Sequence, residues 1–142
     1  MIYLSLGSNL GNRAENLRVA RELLAERLRK ELICSCELET GAIGFDGPAF
    51  LNQVVGFEGD IAPVALLDLC QEIEVEMGRP RHEARFDATG ARIYENRIID
   101  IDILIYNDLK IHTKWLTIPH PQVETRPFVR ILLDDIKQRN NL

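Results

Sequence analysis

Three cysteines, one tryptophan and 6% aromatic residues are sparse provision for a chain of 142 residues. Cys34, Cys36 and Cys70 are too few, and odd in number, for a disulfide framework, so buried thiols in a reducing compartment are expected. A strand would put Cys34 and Cys36 on one face, but no second Cys or His cluster joins them to make a metal site. No apolar run reaches the roughly 18–20 residues that cross a bilayer. Met1 leads directly into Ile-Tyr-Leu-Ser-Leu with no basic segment before it, so a secretory leader is not expected and a cytoplasmic location is. Gly7-Ser8-Asn9-Leu10-Gly11 lacks both the Lys-Ser/Thr ending of a P-loop and the G-x-G-x-x-G spacing, so it reads as a turn into a helix. The net charge is −5, from 17 basic and 22 acidic residues. This argues against general binding of nucleic acid or anionic membrane.

What is present is an ordinary globular mix, 46% hydrophobic and 27% charged, of a length that suits one domain over 1–142. Ile2–Leu6 reads as a strand broken by Gly7-Ser8-Asn9. Asn12 and Glu15 have capping-box spacing, and Leu17, Ala20, Leu24 and Leu28 recur at helical intervals, predicting a helix over Arg13–Arg29. Glu31–Glu39 and Phe50–Glu58 read as strands on either side of a Gly/Pro-rich loop, Thr40–Pro48. Pro63 opens a second helix with Leu66, Cys70, Ile73 and Met77 on one stripe, and Gly78 stops it. Residues 79–97 are polar and aperiodic, a length of loop that is uncommon without a function. Ile98–Tyr106 is the clearest strand. Asn107-Asp108 turns, Lys110–His112 returns as a short partner, Phe128–Lys137 is a short helix, and Gln138–Leu142 is a frayed tail. The order β-α-β-β-α-β predicts an α+β fold, a ferredoxin-like sandwich with helices packed on a mainly antiparallel sheet. That fold serves many activities, so function must come from the site.

Asp100 and Asp102 lie on one face of the predicted strand, with Ile99, Ile101, Ile103 and Ile105 on the other, about 7 Å apart. Two such carboxylates repel unless a cation lies between them, and Mg²⁺ accepts one or two carboxylates with water and phosphate completing its shell. The plain alternative is a solvated strand face. Arg79, Arg81, Arg85, Arg92 and Arg97 face only three acids over 79–97, so this stretch is +2 and the remainder −7. Guanidinium forks suit phosphate oxygens, although a charge run is commonly just a solvated loop. Next to paired acids, it suggests a polyphosphate held by Mg²⁺ on one side and arginine on the other. His120, stiffened by Pro119 and Pro121, and Arg126 could also donate to phosphate. Asn52 with Phe50 and Phe128 could clamp a flat heterocycle, where core packing is the alternative for each aromatic.

Leu6-Gly7-Ser8-Asn9, Phe50-Leu51-Asn52-Gln53-Val54, Gln71 through Glu74 to Gly78-Arg79-Pro80-Arg81, Arg97 through Leu104, Ile118-Pro119-His120-Pro121 and Arg126-Pro127-Phe128-Val129 together resemble the hydroxymethyldihydropterin pyrophosphokinase family of folate biosynthesis. The resemblance spans Tyr3 to about Val129. It implies ATP- and Mg²⁺-dependent transfer of pyrophosphate to 6-hydroxymethyl-7,8-dihydropterin, with release of AMP, by a monomer. It implies two Mg²⁺ ions on Asp100 and Asp102, with Arg79 in a catalytic loop and Arg97 also catalytic. Gln71, Glu74, Arg81, Arg97, Ile103, Thr117, His120 and Arg126 would surround ATP. Thr40, Ile43, Phe50, Asn52 and Phe128 would hold the pterin. The chain departs from the family where Thr-Gly-Ala-Ile-Gly replaces a Thr-Pro-Pro-x-Gly loop, where a Trp-Gly-Pro is missing from 79–97, and in a short C-terminus, expected to cost packing and not catalysis. Two other readings stand beside it: a different Mg²⁺-dependent phosphotransferase or nucleotidyl transferase, and a non-catalytic ferredoxin-like binding module.

Overall fold

The computed structural model describes residues 1–41, 47–78 and 97–142. Strand β1 (Ile2–Ser8) is buried along its whole length. It runs two residues past its expected end at Leu6, because Gly7 pairs with both Asn52 and Asp100 and Ser8 with Leu51. Helix α1 (Arg13–Leu28) starts where Asn12 Oδ1 accepts the Glu15 N–H at 3.1 Å. The Glu15 carboxylate turns to Arg18. The helix ends at Leu28, one residue earlier than expected, because Arg29 takes the left-handed conformation at φ 54° and caps it, its N–H donating to Ala25 O.

The expected strand over Glu31–Glu39 is two short ones, β2 (Ile33–Cys34) and β3 (Leu38–Thr40), both antiparallel to β4 (Phe50–Phe57). Cys34 pairs with Val55 and Leu38 with Asn52, so four steps on one side meet three on the other. One extra residue makes a β-bulge and reverses the alternation beyond it. Cys34 and Cys36 therefore lie on opposite faces, contrary to the sequence expectation, each half-buried against a different apolar cluster. Ser35 sits at the bulge, 4% exposed, and its Oγ accepts the Val54 N–H at 2.9 Å that the ladder would otherwise leave unpaired. Burial pushes the Cys34 thiol up, partly opposed by Arg21, and pushes the enclosed Cys70 thiol up much further.

Helix α2 (Pro63–Glu76) leads towards β5 (Asp100–Tyr106), which pairs antiparallel with β1. The main sheet has the order β2–β4–β1–β5, with β3 also on β4. On one face, Leu4, Leu6, Val55, Ile101 and Ile103 pack against Leu17, Leu24, Leu66 and Ile73 of α1 and α2. A second bulge falls where Leu4 pairs with Ile103 but Tyr3 with Ile105. The extra residue, Leu104, and Ile105 both join the opposite cluster, so Ile105 does not share the face of Ile103 as alternation alone implied.

Lys110–His112 contributes only β6 (Ile111–His112), whose partner is β7 (Thr117–Ile118). A short α3 (Gln122–Thr125) precedes α4 (Pro127–Arg139), which is longer than expected and takes in part of the supposed tail. Val129, Leu132, Leu133 and Ile136 dock α4 over Tyr3, Val54 and Leu104. A fully buried side chain of this kind contributes about 1.5–3 kcal/mol, so this apolar stripe holds α4 in place. Asp135 adds a tie by accepting the Cys36 N–H at 2.8 Å, and its hydrogen bond with Arg139 keeps its carboxyl below the ordinary range.

The Ser35→Ala variant leaves the buried Val54 N–H without its acceptor, an expected cost of about 1–3 kcal/mol. In urea melts the midpoint should fall with the slope unchanged.

Candidate active site

Helix α4 covers only part of its sheet face. Towards the ends of β1, β4 and β5 that meet the loops, the face carries small and polar residues in place of apolar ones, and there a pocket opens. Its floor is two cross-strand rows. Gly7 lies between Asn52 and Asp100, and Ser5 lies between Val54 and Asp102. Two strand spacings separate the ends of the first row, about 10 Å between Asn52 and Asp100. Phe50 continues the β4 side, Thr40 and Gly41 close one flank, and Gln122, Arg126 and Phe128 close the other from α3 and the start of α4.

Gly7 keeps this floor low. A Cβ there would stand 3.3 Å from Asn52 Oδ1 and 3.6 Å from Phe50 Cδ1. Asn52 is 5% exposed, and its Nδ2 donates to Leu38 O at 3.1 Å and Thr40 Oγ1 at 2.8 Å. Those two acceptors set the amide's orientation: both donor hydrogens point to β3, and Oδ1 lies over Gly7. The pocket thus joins the Asn52 amide, two aromatic side chains, a carboxylate pair and an arginine in one space.

Asp100 and Asp102, both half-exposed to this space, are the expected acid pair, and their common face is the pocket face. Among the described residues no group of three or more His, Cys, Asp or Glu side chains assembles. Two hard oxygen donors side by side suit Mg²⁺, which keeps places for water and phosphate, better than the Cys- and His-rich set of a closed zinc site.

Thr40, Phe50, Asn52, Asp100, Asp102, Arg126 and Phe128 thus meet in one cavity. Other expected residues are not part of its lining. Glu74 is buried and its Oε2 accepts the Ile101 N–H at 2.9 Å, bracing β5 between the two aspartates. Arg97 is 9% exposed, three residues before Asp100. The His120 N–H donates to Leu104 O at 2.8 Å at the bulge, and its Nδ1 accepts the Gln122 N–H at 3.1 Å. A neutral His120 therefore carries its proton on Nε2, as a donor. Ile103 is 3% exposed with its side chain in the core, while Gln71 on α2 and Thr117 on β7 do not line the pocket. Ile43, Arg79, Arg81, Arg85 and Arg92 lie outside the described residues. Ser5, Gly7 and Gln122 line the pocket without having been named as site residues from sequence, whereas Gly41 lies in the Thr40–Ile43 segment expected to help hold the pterin. Alternation could have found two of them: with Leu4 and Leu6 in the core, Ser5 and Gly7 must share the other face.

A sheet-borne carboxylate pair beside an arginine and an aromatic, amide-bearing recess defines a small-molecule site equipped for a charged group at one end and a flat ring at the other. Comparison with known proteins agrees with this class and narrows it. Residues 3–138 match the family described as 7,8-dihydro-6-hydroxymethylpterin-pyrophosphokinase (HPPK). A 2-amino-4-hydroxy-6-hydroxymethyldihydropteridine pyrophosphokinase of Porphyromonas gingivalis is 40% identical over 138 residues, covering 96% of this chain and 90% of that protein. Proteins of the same name from Bacillus subtilis and Aquifex aeolicus are 37% and 41% identical, over 96% and 89% of this chain and 78% and 74% of their own. The chain belongs to the hydroxymethyldihydropterin pyrophosphokinase family.

Gly7 does not have a positive φ, so Gly7→Ala changes volume and not backbone conformation. The variant should fold normally yet bind 6-hydroxymethylpterin about tenfold more weakly, since the new methyl presses on Asn52 and Phe50 in a close-packed floor. Fluorescence titration of that flat probe checks it, and unchanged affinity would mean the ring does not rest on this floor.

Proposed function

We propose that this chain transfers pyrophosphate from ATP to 6-hydroxymethyl-7,8-dihydropterin, giving the pterin diphosphate and AMP, within folate biosynthesis. The observation that carries the reading is the row Asn52–Gly7–Asp100, which sets a ring-sized recess and the acid pair in one pocket. A single domain over 1–142 performs it. With β2 and β3 counted as one bulged strand, the element order and the sheet order β2–β4–β1–β5 support the ferredoxin-like reading of the fold.

In this reading Asn52 Oδ1 accepts from an N–H on the pterin edge, and Phe50 and Phe128 flank the ring. The pterin hydroxymethyl group then points along the floor towards Asp100. Its oxygen attacks the β-phosphorus of ATP in line. A new O–P bond forms as the bond from that phosphorus to the bridging oxygen of the α-phosphate breaks. AMP leaves with that oxygen, and the hydroxyl proton passes to solvent. Asp100 and Asp102 would hold magnesium, which when bound neutralises triphosphate charge and draws electron density from phosphorus. Arg126 and the Nε2–H of His120 donate to phosphate oxygens, with Arg97, and with Arg79 and Arg81 from the arginine-rich stretch. Their shared task is to meet negative charge as it moves onto the phosphoryl oxygens. Glu74 has its carboxylate on the Ile101 N–H, and its part is to hold β5 straight behind the acids. No side chain acts as general base, because positioning and charge stabilisation supply most of the acceleration in phosphoryl transfer.

Incubation with ATP, Mg²⁺ and hydroxymethyldihydropterin should yield AMP and the diphosphorylated pterin. ADP would indicate a different phosphotransferase, and no pterin-dependent turnover a binding module. Asp102→Asn removes one of two adjacent like charges, so it should stay folded while turnover falls by at least about 100-fold. Near-normal rates would dismiss the acid pair as the metal site.

A further inference from the structure

Asn9 is 1% exposed, although it carries an amide and begins the turn between β1 and α1. Its Oδ1 accepts the Arg97 N–H at 2.6 Å, and its own N–H donates to Arg97 O at 2.9 Å. Its Nδ2 donates to Pro48 O at 3.2 Å. One side chain therefore grips two segments distant in sequence, 39 and 88 residues away. Pro48 lies two residues before Phe50, and Arg97 three before Asp100. The two segments are the lead-ins to opposite sides of the pocket.

The turn that presents Asn9 is itself braced. Asn16 Nδ2 donates to Ser8 Oγ at 3.1 Å and to Leu10 O at 2.8 Å, and Gly11 takes φ +66°. Arg13 Nη1 adds a bond to Ala49 O at 2.9 Å beside Pro48. An amide suits the position because it offers donor and acceptor from one planar group. An aspartate offers acceptors alone, and a leucine neither. Asn9 does not line the pocket.

We propose that Asn9 is a positioning residue, a buried clasp that fixes the lead-in of β4 relative to that of β5, so that the recess at Phe50 and Asn52 and the acids at Asp100 and Asp102 keep a reactive separation. This rests on the pyrophosphokinase reading of the site. A misplacement of about 1 Å can cost on the order of 100-fold in rate, so a hydrogen bond remote from the reacting atoms has leverage over turnover. A buried amide that served stability alone would lower the amount of folded protein and leave the kinetics of the folded fraction unchanged.

The two bonds can be separated. Asn9→Asp keeps an acceptor for Arg97 and loses the donor to Pro48, while Asn9→Ala loses both. Kinetics are taken per folded protein, alongside thermal unfolding and backbone amide NMR shifts without substrate. In Asn9→Asp the pterin KM should rise about tenfold with kcat within about threefold, and in Asn9→Ala kcat should also fall about tenfold or more. The Phe50 amide should shift in both variants and the Arg97 amide chiefly in Asn9→Ala. Wild-type kcat and KM in both variants, or losses explained entirely by the folded fraction, overturn the proposal. If Asn9→Ala does not fold, Asn9→Asp decides alone. Absence of pterin-dependent AMP formation by the wild type contradicts the functional reading instead. The clasp is then judged by the shifts, and unmoved Phe50 and Arg97 amides in the variants overturn it.

Discussion

Alternation along β1 puts Leu4 and Leu6 on one side of the sheet and Ser5 and Gly7 on the other, and this period of two divides the molecule into a side that packs and a side that partly does not. As an inner strand with hydrogen-bonded neighbours on both edges, β1 cannot slip by one residue without exchanging the two sets. The packed side supports two helices. On the other side α4 packs on Tyr3, Val54 and Leu104 with Ile33, Cys36, Leu38 and Ile105 around them, and the face beyond opens as a pocket. The site is where a sheet face runs out of apolar residues before it runs out of sheet.

The structure on either side of this line serves to hold the floor still. Glu74 ties β5 from behind, Ser35 replaces a ladder bond at the bulge of β2 and β3, and Asn52 is anchored to β3 by both amide hydrogens. Each is a polar group buried in a small fold, and each has a partner, as a low-dielectric interior demands. Cys70 lies on the far side of the same strand. Its thiol is pushed up by burial first, and by the carboxylates of Glu74 and Asp102 after that.

Much of this was legible in the sequence because it follows from periodicity and residue chemistry. The stripes of α1 and α2, the Asn12 cap, the strand that carries Asp100 and Asp102, and their common face all came from spacing. What periodicity missed were its own interruptions. The bulges at Ser35 and Leu104 each add one residue, which moved Cys36 and Ile105 to the face opposite the one expected. Nothing local marks such an insertion, since it is a relation between two strands. Gly7 read as a strand breaker because glycine usually weakens a strand, whereas here it lies within β1 and its missing side chain keeps the pocket open. The net charge of −5 says little about substrate, because the acids that matter stand in a pocket with Arg126. The identity of the pterin and of ATP came from family resemblance; residue chemistry alone suggested only that Asn52, Phe50 and Phe128 could clamp a flat heterocycle beside a polyphosphate.

We propose that a divalent metal and the nucleotide bind at the uncovered end of this sheet face. Paramagnetic broadening tests it directly: Mn²⁺ with a non-hydrolysable ATP analogue is added to isotope-labelled protein, and amide signals are followed one by one. Loss of signal should centre on Ser5, Gly7 and Asp100–Asp102 and reach Arg126, while Leu17 and Leu24 on the covered face stay sharp. Broadening centred on α1 and α2, or on the β6–β7 hairpin, would contradict the account.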